Sequence, residues 1–222
     1  RPDTNPSWEL LKPLNDQVIQ TTAGVRARLY CRELPVVYHA ARKLVPALHH
    51  EAAAAASSDE HGYALYVHIG QGLKGAVALE RRARYGPYLK PDNDGRTAPS
   101  SAASDGPLAA VHQDAHPRRS YHTVYHTVVD VPALAHWLTA QRNWEHVNVS
   151  IDPGLYLCEY TYYYSLRETK PSDVGWARRC GGRPVLFIHV PPVGHPYSLQ
   201  QLTELVHDAV SWLVEYYATQ SM

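Results

Sequence analysis

The segment VNVSIDPGLYLCEYTYYYSLR, residues 147–167, decides the fold of this chain. Its first part, Val147–Ile151, is predicted as a buried strand, and Asp152-Pro153-Gly154 as a turn. Leu155–Arg167 has the length of a helix and is unusually rich in tyrosine. A strand that leads through a short turn into a helix is the building unit of α/β domains.

The same alternation continues on both sides of this segment. A helix is predicted to begin at Asn5 with Pro6 in its first position, because Asn caps helices and Pro fits the first turn. Further strands and helices are predicted from apolar periodicity: strands at Val25–Leu34, Tyr63–Gly70, Val77–Ala83 and Pro184–Val190, and helices at Val37–Leu48, Val131–Gln141 and Ser198–Tyr217. Pro46 is expected to kink or interrupt its helix, and Ala52–Ala56 to form a surface link. The pattern predicts a three-layer α/β/α sandwich.

Composition narrows the functional classes. The 222 residues fit a single domain, residues 1–222, that is 45% hydrophobic and 19% charged. Lys plus Arg (21) equals Asp plus Glu (21), so the chain lacks the positive excess of a nucleic-acid binder, and nothing supports a membrane partner. No apolar run approaches about 18 residues. Three cysteines form no disulfide framework, which indicates reduced thiols and a cytoplasmic location.

Two other patterns predict neither a metal nor a cofactor. Four histidines, His112, His116, His122 and His126, crowd one stretch, but no Cys or Glu stands at the usual ligand spacing. Gly70-Gln71-Gly72 is a fragment of a dinucleotide fingerprint that lacks the third glycine and the following helix. The region from Gly86 to Asp114 is rich in Pro, Asp, Gly and Ser and is expected to be a long exposed loop.

Three residues carry candidate chemistry. Cys158 lies about one turn into the predicted helix, where the helix dipole would favour a thiolate; the alternative is a small buried hydrophobic residue. His189 lies at the carboxyl end of a strand, where α/β proteins gather their ligands, and it would serve as a general base and acid; the alternative is a core histidine with a satisfied hydrogen bond. Glu80 would orient the imidazole, or would instead pair with Arg81 and Arg82.

Three motifs in this order resemble pyroglutamyl-peptidase I, a family of cysteine peptidases. They are Asn5-Pro6-Ser7-Trp8-Glu9, Leu155–Leu166 with its cysteine, and Phe187-Ile188-His189-Val190-Pro191-Pro192. The resemblance runs across nearly the whole chain and is weakest in residues 86–120, an enlarged loop insertion. It implies an α/β/α sandwich around a twisted mixed sheet, and it places the order Glu, Cys, His where the family has it.

The resemblance also implies the site and the reaction. Cys158 would be the nucleophile, His189 the general base and acid, and Glu80 the orienting acid, acting through a thioester intermediate. Tyr156, Leu157 and the backbone of Gln71 would line the pocket for the pyroglutamyl ring of small peptides, with no cofactor. The family begins with a strand that ends in a Gly-Phe-x-Pro-Phe turn, so a first strand is expected upstream of Arg1.

Two alternatives remain open at this point. The chain could be a related Cys-His amidohydrolase that acts on another small acyl amide, because the loop is enlarged and one wall of the pocket is missing from the sequence. It could also be a truncated, non-catalytic homologue. The sequence gives no oligomeric state.

Overall fold

The computed structural model describes residues 5–55, 63–99, 123–169 and 183–219, and the backbone alone for 51–55. His112, His116, His122, Cys180 and residues 100–114 of the predicted loop lie outside the described residues. The described helices are α1 (Pro6–Glu9), α2 (Tyr38–Ala55), α3 (Val131–Ala140), α4 (Leu157–Arg167) and α5 (Leu199–Thr219). The described strands are β1 (Val18–Gln20), β2 (Arg26–Arg28), β3 (Tyr66–Gln71), β4 (Val77–Glu80), β5 (Arg82–Arg84), β6 (Val124–His126), β7 (Val147–Ser150) and β8 (Val185–Val190).

A mixed four-stranded sheet forms the centre of the fold. Its strand order is β3-β8-β4-β7, in which β3 runs parallel to β8, β8 antiparallel to β4, and β4 parallel to β7. All six residues of β8 are buried, as expected of a strand that is covered on both faces. Two smaller antiparallel pairs, β1-β2 and β5-β6, flank this sheet.

Helices cover the central sheet on both faces, so the predicted α/β architecture with a mixed sheet is confirmed. Helices α3 and α5 bury apolar side chains such as Leu134, Leu202 and Leu213 in the same core cluster as Leu186 and Ile188 of β8. Helices α2 and α4 pack together, and α4 contacts β5 and β8. The α4 helix is amphipathic only weakly, because eight of its eleven residues are buried.

The structure shows no interruption of α2 at Pro46, and it overturns the prediction of a surface link at the alanine run. The helix runs unbroken through Pro46, because proline removes only one helical hydrogen bond and the buried side chains of Ala41 and Val45 hold the turn on its N-terminal side. It continues to Ala55, so the alanine run is helix and not a link as far as the structure describes it. Alanine has the highest intrinsic helix propensity, which outweighs the low complexity of the run.

Three strand predictions need adjustment. Only Arg26–Arg28 of the predicted strand at Val25–Leu34 is a strand. The predicted strand at Val77–Ala83 is divided at Arg81 into β4 and β5, which pair with different partners. The strand β7 forms at the edge of the sheet, but only its first residue, Val147, is buried, and Val149 is 41% exposed. An edge strand has a neighbour on one side only, and this explains the exposed side chains.

Among the described residues, no helix has the length and apolar character needed to cross a bilayer. Within the same residues, His, Cys, Asp and Glu side chains do not gather in a group that could hold a metal ion.

Candidate active site

The pairing of β4 with β8 brings Glu80 and His189 together. Ala78 lies opposite His189 in the antiparallel ladder and Glu80 lies opposite Phe187, so Glu80 and His189 are diagonal neighbours on one face. His189 Nδ1 lies 2.8 Å from Glu80 Oε1, within hydrogen-bonding distance. Both side chains are buried, and the Glu80 carbonyl accepts a hydrogen bond of 2.9 Å from the Tyr162 hydroxyl. Because Nδ1 faces the carboxylate, the other ring nitrogen, Nε2, is left for a further partner.

The second group that acts on His189 is the side chain of Cys158. Burial by itself would lower the pKa of His189, but hydrogen bonds with Cys158 and Glu80 outweigh it and raise the pKa to about 9. The imidazole is therefore protonated at neutral pH. A protonated imidazole beside a cysteine side chain can donate a proton during a reaction at the sulfur.

Cys158 lies in the first turn of α4, closer to the helix end than the sequence predicts. The helix begins at Leu157 after Tyr156, which is extended and gives no side-chain cap. The N–H groups of a first turn have no carbonyl partner within their own helix, and they form the positive end of the helix dipole. Cys158 thus has hydrogen-bond donors and a favourable field for negative charge around its sulfur.

Two glycines allow strands and loops to approach these side chains closely. A Cβ atom placed on Gly70 would lie 2.8 Å from Phe187 Cζ and 3.0 Å from Cys158 Sγ. One placed on Gly72 would lie 2.8 Å from His189 Cβ. From the sequence alone, Gly70-Gln71-Gly72 resembles only a fragment of a nucleotide-binding motif. The structure gives a different reason for the two glycines: here the end of β3 packs closely against the cysteine and the imidazole, and a larger residue would have to displace a neighbouring side chain.

A cavity of about 1160 Å³ opens beside Cys158. Gln71, Tyr156 and Leu157, the three residues predicted to bind substrate, line it together with Phe187. The Tyr156 ring packs edge-on against Tyr38, and its hydroxyl donates a hydrogen bond of 3.1 Å to the Pro91 carbonyl. The cavity continues along β3 towards Trp8 of α1, Leu11 just after it, and Val210 and Val214 of α5. Its walls are largely apolar and aromatic, as in small-molecule sites generally.

The structure thus brings Cys158, His189 and Glu80 into one network, and of the three Cys158 lines this cavity. The alternative interpretation of Glu80 as a partner of Arg81 or Arg82 is not what the structure contains, because the carboxylate contacts His189 and Arg82 donates to the Ile151 carbonyl. Of the four clustered histidines only His126 is described, and it lies on β6, where it pairs with Arg82 of β5.

Sequence reasoning did not single out Arg84 and Glu159. Glu159 follows the cysteine directly, and its fully buried carboxylate pairs with Arg84, 75 residues earlier in the chain. A charged residue within a run of buried tyrosines was a possible signal, because a carboxylate is almost never fully buried without a partner.

No protein-family model matches the chain. It is 29% identical to pyroglutamyl-peptidase 1 of Mus musculus over 201 residues, which cover 89% of this chain and 77% of that protein, and the human protein gives the same values. The fold is similar to that of the pyrrolidone carboxyl peptidase from Thermococcus litoralis, with a TM-score of 0.67, 19% identity and coverage of 97% and 89% of the two chains.

The pyrrolidone carboxyl peptidase from Thermus thermophilus is likewise similar, with a TM-score of 0.62, 23% identity and coverage of 94% and 92%. These comparisons confirm the resemblance that the three sequence motifs predict. The chain is thus similar to pyroglutamyl-peptidase 1 over most of its length, and it has the fold of the pyrrolidone carboxyl peptidases.

Proposed function

We propose that this protein is a cysteine peptidase that removes pyroglutamate from the N-terminus of small peptides. The observation that carries the proposal is the chain of contacts from Glu80 through His189 to Cys158 at a cavity wall, in a chain similar to pyroglutamyl-peptidase 1. Each of the three side chains is of the type that such a reaction needs: a nucleophile, a general acid and base, and an orienting carboxylate.

In the first half of the reaction the Cys158 thiolate attacks the carbonyl carbon between the pyroglutamyl residue and the next residue. A carbon–sulfur bond forms, and the developing oxyanion lies near the N–H donors of the first turn of α4. His189, protonated at neutral pH, gives its proton to the departing amine as the carbon–nitrogen bond breaks. The products are a thioester on Cys158 and the shortened peptide.

In the second half His189, now neutral, takes a proton from a water molecule that attacks the thioester carbon. The carbon–sulfur bond breaks, pyroglutamate leaves as the free acid, and the thiolate–imidazolium pair is restored. Glu80 keeps Nδ1 of the imidazole occupied through both halves, and it thereby holds Nε2 towards the sulfur. No cofactor or metal is needed at any step.

The cavity supports the choice of substrate. A pyroglutamyl ring is small, neutral and cyclic, and it fits an apolar wall of Tyr156, Leu157 and Phe187. We assign the backbone of Gln71 the polar contact with the lactam, since it lies at the end of β3 on the same cavity. The cytoplasmic location expected from the cysteine content belongs to this proposal as well.

The test is release of a fluorescent amine from a pyroglutamyl amide, with prolyl and alanyl amides as controls. We expect cleavage of the pyroglutamyl amide alone, its loss after treatment with iodoacetamide, and its loss in Cys158→Ala. Cys31→Ser shows whether iodoacetamide acts at the other described free cysteine, which lines the same cavity, and inhibition that persists in this variant assigns the effect to Cys158. Cleavage of a different small acyl amide would replace the proposed substrate, and full activity of Cys158→Ala would refute the proposed nucleophile. A folded protein that cleaves none of these amides would be a non-catalytic homologue.

A further inference from the structure

The turn that precedes Cys158 has an unusual backbone. Gly154 has a φ of 96° and Leu155 a φ of 48°, both in the left-handed region. Glycine adopts such angles without strain, but a leucine there is uncommon and persists only where its surroundings fix it. Tyr156 then returns to an extended conformation, and α4 begins at the next residue. The direction of the first turn of α4 therefore depends on how this short stretch is held.

The carboxylate of Glu159 holds it. Glu159 Oε2 accepts a hydrogen bond of 2.7 Å from the Leu155 N–H, inside the left-handed turn. Glu159 is the third residue of α4, so its side chain reaches back over the helix end, as the acidic residue of a capping box does. Tyr156 supplies no cap, so this bond fixes the start of the helix in place of one.

Arg84 neutralises the charge that this arrangement buries. Its Nε lies 2.7 Å from Glu159 Oε1, its Nη2 lies 2.9 Å from Oε2, and its backbone N–H donates to Oε1 at 2.9 Å. The guanidinium also contacts Asp152, whose carboxylate accepts from the Gly154 N–H at 3.3 Å. A bidentate pair has a fixed geometry. It therefore joins β5 to the Gly154–Tyr156 segment and to the N-terminal end of α4.

We infer that Glu159 and Arg84 are positioning residues for the nucleophile. They act through the Gly154–Tyr156 turn, which they fix so that the sulfur of Cys158 and the first-turn N–H groups of α4 point at the same reacting carbon. The kinetic part of this inference rests on the proposed function. The structural part, the rigidity of the turn, does not.

The inference predicts a larger effect on turnover than on substrate binding. The Tyr156 ring and hydroxyl are anchored separately, on Tyr38 and the Pro91 carbonyl, so the cavity wall survives a change at Glu159. Glu159→Gln keeps the size of the side chain but faces Arg84 with an amide N–H₂ group. We expect kcat to fall about tenfold to a hundredfold with KM changed by less than about threefold, because a misplacement of about 1 Å at a reacting group costs about a hundredfold.

Asp208→Asn provides the matched control. Asp208 on α5 makes a comparable bidentate pair with Arg142, at 2.9 and 2.8 Å, and accepts from Trp144 Nε1 at 2.8 Å. Helix α5 packs on the core cluster of the opposite face from α4. We expect this variant to lower Tm while kcat stays at the parent value. Equal losses of kcat in Glu159→Gln and Asp208→Asn would mean that any lost ion pair has this effect, and would overturn the inference.

Amide hydrogen exchange supplies a readout that needs no substrate. Exchange at residues 154–158 is expected to quicken about tenfold or more in Glu159→Gln and to stay unchanged in Asp208→Asn. Unchanged exchange together with parent-like kcat would overturn the inference. If the parent cleaves no pyroglutamyl amide, the proposed function fails, and the exchange experiment still decides whether Glu159 fixes the turn. If Glu159→Gln does not fold, Arg84→Lys is the second variant, because lysine keeps the positive charge but cannot make the bidentate contact. Exchange rates and kcat equal to those of the parent in Arg84→Lys would also overturn the inference.

Discussion

Replacing Gly70 by alanine tests how closely the strand end must approach the nucleophile. The φ angle of Gly70 is not positive, so alanine can adopt its backbone and the only obstacle is space. The added Cβ would lie 3.0 Å from Cys158 Sγ, whereas ordinary contact begins at 3.4 Å, so the sulfur must move by about 0.4 Å. A displacement of about 1 Å at a reacting group lowers kcat/KM about a hundredfold, and if the logarithm of kcat/KM falls in proportion to displacement, about 0.4 Å lowers it about sixfold. The clash with Phe187 adds an overpacking penalty of about 1–3 kcal/mol to the free energy of unfolding.

The assay is kcat/KM for the pyroglutamyl amide, together with urea denaturation of the same preparations. Gly24→Ala is the control, because Gly24 has a φ of 81° and open space around its Cβ position. Backbone strain should destabilise that variant by about 1 kcal/mol without changing kcat/KM. Parent-like kcat/KM for Gly70→Ala would refute the argument that the glycine is required by the position of the sulfur, and so would the same loss of kcat/KM in both variants.

Three further predictions concern the buried residues around the imidazole. Turnover should fall above about pH 9, because His189 loses its proton there. Glu80→Gln should move this alkaline limb of the pH–rate profile to lower pH, and a limb that stays in place would contradict the contact between Glu80 and His189. The pKa of His189 is raised above its ordinary value of about 6.5, so its contribution to the free energy of unfolding is complete below about pH 6.5 and falls by about 3 kcal/mol as the pH rises through 9. Denaturation of the parent and of His189→Gln across this range measures it, and parallel curves would argue against it. Tyr162→Phe removes the donor to the buried Glu80 carbonyl and should lower the free energy of unfolding by about 1–3 kcal/mol with kcat nearly unchanged; unchanged stability to urea would show that this hydrogen bond contributes little.

The sequence predicts the elements of the site better than their contacts. The turn at Asp152-Pro153-Gly154 locates the start of α4 within two residues, and with it the environment of Cys158. The apolar run ending in Val190 likewise locates His189 near the carboxyl end of its strand. Both predictions rest on local signals, namely turn residues and apolar periodicity, that act over a few neighbouring positions.

Contacts between distant segments carry no such local signal. Glu80 stands next to two arginines in the chain, yet β4 ends at Glu80, whose carboxylate contacts His189 of β8, while Arg82 begins the separate strand β5. Which residue of β8 faces Glu80 depends on the register of a pair separated by more than a hundred residues. The pairing of Arg84 with Glu159 and the exposure of β7 depend in the same way on the order of strands in the sheet. The strand expected before Arg1 stays a prediction.

The antiparallel ladder between β4 and β8 has a consequence for redesign of the enzyme. Side chains on one face of a strand recur every second residue, so an acid on β4 can approach His189 only from discrete positions. Within β4 these are position 80, where the glutamate lies diagonally from the imidazole, and position 78, which lies directly opposite and holds an alanine. A carboxylate moved from position 80 to position 78 would approach the imidazole from a different direction. The other two residues of β4 lie on the opposite face of the sheet. The pairing of β4 with β8 therefore gives a carboxylate on β4 two positions on the face of His189, and moving it from one to the other tests how the direction of a charge affects the imidazole.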